Sequence, residues 1–218
     1  MLISPQFLPE YSYFMPREAN SYIRILHASP DALAVDVYAN NRLIARNLPY
    51  RGFTPYLKVP AGNYNIRVLP AGQISNPVLI RDIVVPDRSI YTIAAIGRLS
   101  EIDLLPVQDP LMPRAPGKAR VRFVHLSPNA PAVDIVVPNG TVLFGDIQYM
   151  EISEYITVNT GRYTIYVKLT GTNQIVLYVP NIRLLPGKNY TVYAVGFAGG
   201  NPPLQVLIPL DGNSYIKL

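Results

Sequence analysis

The chain has 218 residues, of which 49% are hydrophobic and 15% charged, and its formal net charge is +5. This composition excludes a disordered chain, and the length predicts two domains of about 100 residues each. The absence of cysteine excludes disulfides, thiolate metal sites and cysteine nucleophiles. No apolar run approaches the roughly 18 residues that span a bilayer, so we expect no membrane insertion.

The first 20 residues have no counterpart later in the chain and are predicted to form an extended arm. They lack the basic start and the clean apolar stretch of a secretion signal. An extended arm can add main-chain hydrogen bonds to an exposed sheet edge of another copy, and prolines at positions 5, 9 and 16 limit the paired stretch. The residues that we predict to mediate self-assembly are Ile3, Phe7, Leu8, Tyr11, Tyr13 and Phe14.

The rest of the sequence is an internal repeat. The segment RILHASPDALAVDV, which begins at Arg24, returns as RFVHLSPNAPAVDI, which begins at Arg122. Two further pairs of segments match, YLKVPAGNYNI with YITVNTGRYTI and YTIAAIG with YTVYAVG. Each copy is the size of an independent domain and too long for a solenoid unit. The sequence therefore predicts two homologous modules, residues 21–108 and 119–218, joined by a proline-rich linker over residues 109–118.

Both modules are predicted to be antiparallel β-sandwiches with eight strands each. Short runs of Val, Ile, Tyr and Leu alternate with Pro, Gly, Asn and Asp at intervals of about ten residues. In the first module the runs include Tyr22–His27 and Phe53–Val59, and in the second Ala119–His125 and Ile152–Val158. No window has a helical period, and 22 prolines favour strand edges and loops.

The positive charge is concentrated around the linker. Residues 111–122 contain four basic side chains and no acidic one, namely Arg114, Lys118, Arg120 and Arg122. A nucleic-acid interface would need a denser basic stripe beside exposed aromatic side chains, so nucleic acid is not predicted as a partner. The linker charges are expected to meet acidic groups of a neighbouring copy, as a minor and salt-sensitive contribution.

A histidine, a serine and an aspartate recur in both modules. The two sets are His27, Ser29 and Asp36 in the first module and His125, Ser127 and Asp134 in the second. A hydrolase would need the serine within hydrogen-bond reach of the histidine, with an acid behind it. No nucleophile elbow or oxyanion hole accompanies either set. We therefore favour structural hydrogen bonds at a turn over catalysis.

Cofactor and metal sites are not expected. One histidine and one aspartate per module fall short of the three or four ligands of a zinc site. The glycines near position 196 do not follow the dinucleotide-binding pattern. Sixteen tyrosines and no tryptophan, with many tyrosines alternating with aliphatic residues, favour core positions over a sugar-binding platform.

With its repeats aligned, the chain resembles a bacterial family known as domain of unknown function 4397. The resemblance rests on the paired H-x-S-P segments, the hairpins PAGNYNIRV and TGRYTIYV, the strands YTIAAIG and YTVYAVG, and the closing LDGNSYI. It covers about residues 21–218. It implies tandem immunoglobulin-like sandwiches and carries over no catalytic residues.

These observations predict a non-enzymatic structural protein that assembles through its arm into a layer or filament at a cell or spore surface. The absence of a catalytic constellation and the apolar arm are the main reasons. A glycan- or peptidoglycan-binding module of a cell envelope is the alternative function, and an enzyme comes third. A cytoplasmic location is the alternative to the surface.

Overall fold

The computed structural model describes residues 21–218, which form sixteen strands. The first half contains β1 (Ser21–His27), β2 (Val35–Ala39), β3 (Arg42–Leu48), β4 (Leu57–Val59), β5 (Gly62–Pro70), β6 (Leu79–Val85), β7 (Ile90–Ile96) and β8 (Asp103–Gln108). The second half contains β9 (Lys118–His125), β10 (Val133–Val136), β11 (Val142–Ile147), β12 (Ile156–Asn159), β13 (Gly161–Leu169), β14 (Ile175–Leu184), β15 (Asn189–Val195) and β16 (Gln205–Leu207). Within the described residues, no helix is both long and apolar enough to cross a membrane.

The strands form two sandwiches with the same topology. Domain 1 has sheets ordered β4-β1-β7-β8 and β3-β2-β5-β6, and domain 2 has sheets ordered β12-β9-β15-β16 and β11-β10-β13-β14. The prediction of two tandem immunoglobulin-like β-sandwiches is therefore confirmed. One strand pair in each domain departs from the antiparallel pattern, because β1 pairs parallel with β7 and β9 pairs parallel with β15.

Strands β4 and β12 start four residues later than the sequence predicts. In both domains a side-chain hydroxyl replaces a main-chain acceptor opposite the neighbouring strand of the sheet, which is β1 in domain 1 and β9 in domain 2. The N–H of Ile25 donates to Thr54 Oγ1 at 2.9 Å, and the N–H of Phe123 donates to Ser153 Oγ at 2.9 Å. Regular pairing is interrupted there: Phe53 and Ile152 form isolated bridges to β1 and β9, and only the last residues of each predicted run continue as a strand.

Each sandwich closes on its own apolar core. Alternate residues of β1 and β2, such as Ile23 and Val37, pack in domain 1 against Ile66 of β5. Phe123 and Ile165 occupy the corresponding core of domain 2. Side chains alternate between the two faces of a strand, so the residues between these core positions point out of the sandwich.

In the sheets that contain β1 and β9, the outward face is also buried. A third apolar cluster combines Leu26, Ala28, Ala94, Ile96 and Val107 of domain 1 with Val124, Leu126, Tyr193 and Val195 of domain 2. These two sheets therefore pack against each other and form the inter-domain interface. Packing on both faces explains why almost every residue of β1, β7, β9 and β15 is buried.

The C-terminal tail, residues 210–218, crosses from domain 2 to domain 1. A Cβ atom added to Gly212 would lie 2.6 Å from Cγ2 of Ile90, so only glycine fits at this approach. The ring of Tyr215 meets that of Tyr56 edge-on, with centroids 6.1 Å apart. The sequence assigns this tail to the second module, whereas in space it also covers the first.

The predicted arm, residues 1–20, lies outside the described residues. This segment holds all six residues predicted to mediate self-assembly, Ile3, Phe7, Leu8, Tyr11, Tyr13 and Phe14. Their role stays a prediction.

Candidate functional site

The histidines of both repeated motifs are buried and hydrogen-bonded to the turn that follows. His27 Nε2 lies 3.0 Å from the carbonyl oxygen of Leu33, and His125 Nε2 lies 3.2 Å from that of Pro131. A carbonyl oxygen only accepts, so Nε2 carries the proton in both rings. Nδ1 of His125 accepts the N–H of Ser127 at 3.3 Å. Burial lowers the pKa of both histidines, which favours the neutral ring.

The serines of the two motifs are both fully buried, but they differ in their contacts. Ser127 Oγ donates to the carbonyl oxygen of Gly196 at 2.6 Å. Ser29 Oγ has no hydrogen-bond partner among the described residues. Neither serine makes the hydroxyl-to-imidazole contact that activates a nucleophile.

The aspartates bind backbone groups of neighbouring loops and not the histidines. Asp36 accepts the N–H of Asn47 at 2.6 Å and the N–H of Gly72 at 2.9 Å, and the first of these bonds is the main reason why its pKa is lowered. Asp134 accepts the N–H of Asp146 at 2.7 Å and the hydroxyl of Thr170 at 3.1 Å. Within residues 21–218, histidine and aspartate are therefore not joined by a hydrogen bond in either set.

A second group of polar residues lies at the centre of the inter-domain interface. Arg24 of β1 points into the interface, where Nε donates to Thr92 Oγ1 at 2.8 Å and Nη1 to the carbonyl oxygen of Leu210 at 2.9 Å. Its Nη2 lies 3.6 Å from Oδ1 of Asp211, in the tail that follows β16. Both charged side chains are buried. Arg24 thus links domain 1 to the end of domain 2.

Domain 2 repeats this arrangement in the opposite direction. Arg122 of β9 donates through Nε to Thr191 Oγ1 at 2.8 Å and through Nη2 to Asp109 Oδ1 at 2.7 Å. Asp109 directly follows the last strand of domain 1. In each ion pair, the arginine of one domain meets the aspartate at the end of the other domain. An isologous dimer interface has the same symmetry, which here occurs within one chain. We call Arg24, Asp211, Arg122 and Asp109 the charge cluster.

Tyrosines complete the coordination of the two carboxylates. Tyr56 donates to Asp109 Oδ2 at 2.6 Å, and Tyr155 donates to Asp211 Oδ2 at 2.7 Å. Burial raises the pKa of both phenols, so they remain protonated donors. The same two rings lie under the guanidinium groups, 4.7 Å from Arg24 and 4.5 Å from Arg122. Each tyrosine therefore contacts the arginine of its own domain and the carboxylate that terminates it.

The symmetry of the charge cluster is incomplete. Tyr193 stands where domain 1 has Ala94, and its fully buried hydroxyl has no hydrogen-bond partner among the described residues. Its ring meets Phe53 of domain 1 with centroids 6.1 Å apart. Burial, with the Asp109 carboxylate second, raises the pKa of Asp211 to about 6. The two halves of the cluster are thus alike in composition and unlike in local packing.

The charge cluster was not predicted from the sequence. Arg122 was grouped with the linker charges expected to meet acidic groups of a neighbouring copy, whereas its side chain is buried against Asp109 of the same chain. A signal was available, since Arg24 and Arg122 interrupt otherwise apolar strands at equivalent positions of the repeat. Nothing comparable marked Asp109 or Asp211, which lie in segments outside the strands.

The described residues offer no metal centre. Among residues 21–218, no three His, Cys, Asp or Glu side chains lie close enough together to hold a metal ion. Asp109 accepts hydrogen bonds from Arg122 and Tyr56, and Asp211 accepts them from Tyr155 and Thr191.

Comparisons with known proteins identify a family. The model of the family described as a domain of unknown function (DUF4397) matches residues 21–136 and 135–214. A search of the curated proteins found no match.

Solved structures with some similarity include the Bacillus anthracis TIE protein, at 12% identity and a TM-score of 0.27, covering 83% of this chain and 34% of that one. A family CBM26 module of Eubacterium rectale Amy13K in complex with maltoheptaose has 8% identity and a TM-score of 0.27, covering 87% and 96%. A structure described as alpha-glucan binding by a streptococcal virulence factor has 10% identity and a TM-score of 0.25, covering 90% and 99%. The chain spans about a third of the length of the first of these proteins.

Proposed function

The chain belongs to the family described as a domain of unknown function (DUF4397), and we propose that it is a non-enzymatic structural subunit. In this proposal it assembles with copies of itself through residues 1–20 into a layer or filament at a cell or spore surface. A cytoplasmic location is the alternative.

The inter-domain interface is the observation that carries the proposal. An isolated buried charge is strongly unfavourable, so each arginine of the charge cluster needs the carboxylate that the other domain places beside it. Separating the domains would also expose the apolar cluster around Leu26 and Val124. The two sandwiches therefore behave as one rigid body, which is what a subunit of an ordered layer or filament requires.

The polar groups of the described residues support a structural role. His27 and His125 serve the turns that follow them, and Asp36 and Asp134 hold neighbouring loops. These side chains stabilise local structure in both domains. A catalytic serine would need a histidine free to accept its proton, whereas Nδ1 of His125 already accepts a backbone N–H.

The sheet edges supply surfaces for assembly. Strands β3 and β4 are edge strands of the two sheets of domain 1, and β11 and β12 are their counterparts in domain 2. Such edges present main-chain donors and acceptors to an incoming extended segment. A contact between the arm of one copy and the edge of the next is heterologous, so it forms a ring if the rotation closes and a filament if it does not.

Deletion of residues 1–20 tests this function. The truncated protein is expected to remain folded, because both cores and the interface lie in residues 21–218, and to stay monomeric. Light scattering after gel filtration measures the mass, electron microscopy shows whether the full chain forms filaments or layers, and circular dichroism is the control for folding. A truncated protein that assembles to the same size as the full chain would contradict the proposal.

Glycan binding is the second candidate, and one surface feature favours it. Tyr166 and Tyr178 face outward on neighbouring strands of domain 2, with nearly parallel rings whose centroids are 5.5 Å apart, and Tyr178 is 57% exposed. Exposed aromatic rings offer sugars an apolar surface with a polar group at its rim. Domain 1 has Arg67 and Ile80 at these positions.

A pull-down with insoluble peptidoglycan and with granular starch tests this candidate. The glycan-binding function predicts that the Tyr166→Ala and Tyr178→Ala double variant loses retention, while an Arg67→Ala and Ile80→Ala double variant retains it. Equal retention of both variants, or none by the native protein, would contradict glycan binding at the tyrosine pair.

A further inference from the structure

Domain 1 has an apolar groove on the open side of its sandwich. It lies between edge strands β3 and β4, has a volume of about 270 Å³, and is lined by Ile23, Ala39, Leu57, Val59 and Tyr64. A cavity of about 150 Å³ holds a benzene ring. The domain 1 groove therefore has room for one aromatic side chain and part of a second.

The core of domain 2 is tightly filled beside the corresponding strands. A cavity in that core measures about 20 Å³, and four of its lining positions correspond to those of the domain 1 groove. Domain 2 has Phe123, Val137 and Phe144 where domain 1 has the smaller Ile25, Ala39 and Ala45. The rings of Phe123 and Phe144 lie nearly parallel with centroids 6.4 Å apart, filling the space between the sheets. Phe123 and Phe144 thus fill the core of domain 2 beside β11, whereas the smaller residues of domain 1 accompany an open groove between β3 and β4.

We propose that the domain 1 groove binds residues 1–20 of a second copy of the chain. This inference rests on the proposed function and specifies the acceptor for the arm. In each copy the arm leaves domain 1 beside this groove, because Ser21 pairs with Val59, one of the groove residues. Apolar residues are abundant in the arm, and in an extended arm Phe7 and Tyr11 share one face, so both side chains can be presented to the cavity.

Charge complementarity supports the same occupant. Arg42 and Lys58 line the groove and are exposed, and the groove has no acidic lining residue. The arm carries Glu10 and Glu18 against a single basic residue, Arg17. The acidic side chains of an incoming arm can therefore meet the two basic groups while its aromatic side chains enter the cavity. Both strands that border the groove are sheet edges, so the arm can also form main-chain hydrogen bonds.

Two variants of the full chain test the acceptor. In the first, Arg42→Glu and Lys58→Glu reverse the charge at the groove without changing the core. The second, the filled variant, introduces the residues of domain 2: Ala39→Val enlarges a residue that lines the groove, and Ile25→Phe with Ala45→Phe enlarges two residues of the same core cluster, which is expected to narrow the groove. The matched control is Arg162→Glu with Arg183→Glu, which reverses two exposed charges on neighbouring strands of domain 2.

Light scattering across a concentration series measures self-association. We expect the charge-reversal variant to associate roughly tenfold more weakly or worse, because like charges oppose each other across the contact. The control variant is expected to associate like the native chain, and the filled variant to remain monomeric. If the filled variant does not fold, the self-association of the charge-reversal variant alone tests whether the groove is the acceptor.

The arm deletion separates failure of this inference from failure of the proposed function. If the deletion abolishes assembly while both groove variants assemble normally, the arm is the joint and the groove is not its acceptor. If the truncated protein still assembles, the proposed function itself is wrong. A synthetic peptide of residues 1–20 that dissociates the native assembly, but does not bind the filled variant, supports the inference. A full chain that is monomeric at all concentrations overturns it.

Discussion

At the centre of the inter-domain interface, the two domains place the same arginine, aspartate and tyrosine side chains at equivalent positions, whereas along the open side of the sandwich they differ. Arg24 and Arg122 each reach a carboxylate at the end of the other domain. At the open side, Ile25, Ala39 and Ala45 of domain 1 correspond to larger residues in domain 2, and domain 1 has an open groove between β3 and β4. The residues that the domains share hold the two domains together. The residues that differ are available for contact with a partner, because the sandwich folds with either the small or the large side chains.

The largest effect is expected from breaking the charge cluster. Replacing Arg122 with Met leaves the buried Asp109 without its counter-charge, which should lower the free energy of unfolding by about 3–5 kcal/mol. Replacing Arg81 with Met removes an ion pair to Asp103 that is roughly half exposed, so a loss of only about 0–1 kcal/mol is expected. Urea denaturation measures both. Similar losses would show that the cluster is no more important than a surface pair.

The second effect is a pH dependence that belongs to Asp211. Its pKa is raised in the folded protein, so the folded state binds the proton more tightly than the unfolded state and loses stability as pH rises from about 4 to 6. Asp211→Asn removes the titratable carboxyl, so the variant binds no proton at this position. The stability of the native protein should therefore fall relative to the variant across this window, by roughly 1–3 kcal/mol. The lowered pKa of His27 and His125 acts in the opposite direction in both proteins and cancels in the difference.

Thermal or urea denaturation at pH 4.5 and pH 7.5 measures this difference. A constant gap between the native protein and the Asp211→Asn variant would mean that the carboxyl is not perturbed by burial.

A third prediction concerns the repeated turns, where the domains should respond alike. Replacing His27 or His125 with Ala leaves the carbonyl oxygen of Leu33 or Pro131 without its donor, and each change should cost about 1–3 kcal/mol. The melting temperature measures the loss. Unchanged stability, combined with loss of an esterase or metal-dependent activity, would instead indicate a catalytic role.

The smallest expected change, that of Tyr193→Phe, sharpens the asymmetry around the charge cluster. Tyr155→Phe removes a hydrogen bond to the Asp211 carboxylate and should cost about 1.5–3 kcal/mol. Tyr193→Phe removes a buried hydroxyl that has no partner among the described residues, so no loss of stability is expected. If Tyr193→Phe cost as much as Tyr155→Phe, its hydroxyl would have to take part in the cluster.

Much of the fold could be predicted because its signals are local. Alternating residues such as those around Ile23 and Val37 mark strands, and prolines and glycines mark the turns between them. The late starts of β4 and β12 could not be read from that pattern, because they depend on a hydroxyl of Thr54 or Ser153 meeting a strand far away in sequence.

The candidate site was harder to predict for the same reason. Arg24 in an apolar strand is a visible anomaly, but its partner Asp211 lies almost at the other end of the chain. The domain 1 groove leaves no trace in a hydrophobic pattern, because Ala39 and Val137 are both apolar and only their volumes differ. Cavity volume depends on how neighbouring side chains pack, and packing is settled by the whole sandwich.

The sequence by itself determined that the chain contains two copies of one β-sandwich, because the repeat and the period-two alternation are properties of neighbouring residues. Only the tertiary structure decided that the sandwiches face each other through the sheets of β1 and β9, that two arginines meet carboxylates of the opposite domain, and that one sandwich keeps an open groove. Each of these depends on which surfaces remain to be buried after both cores have closed, and that competition involves residues far apart in the chain.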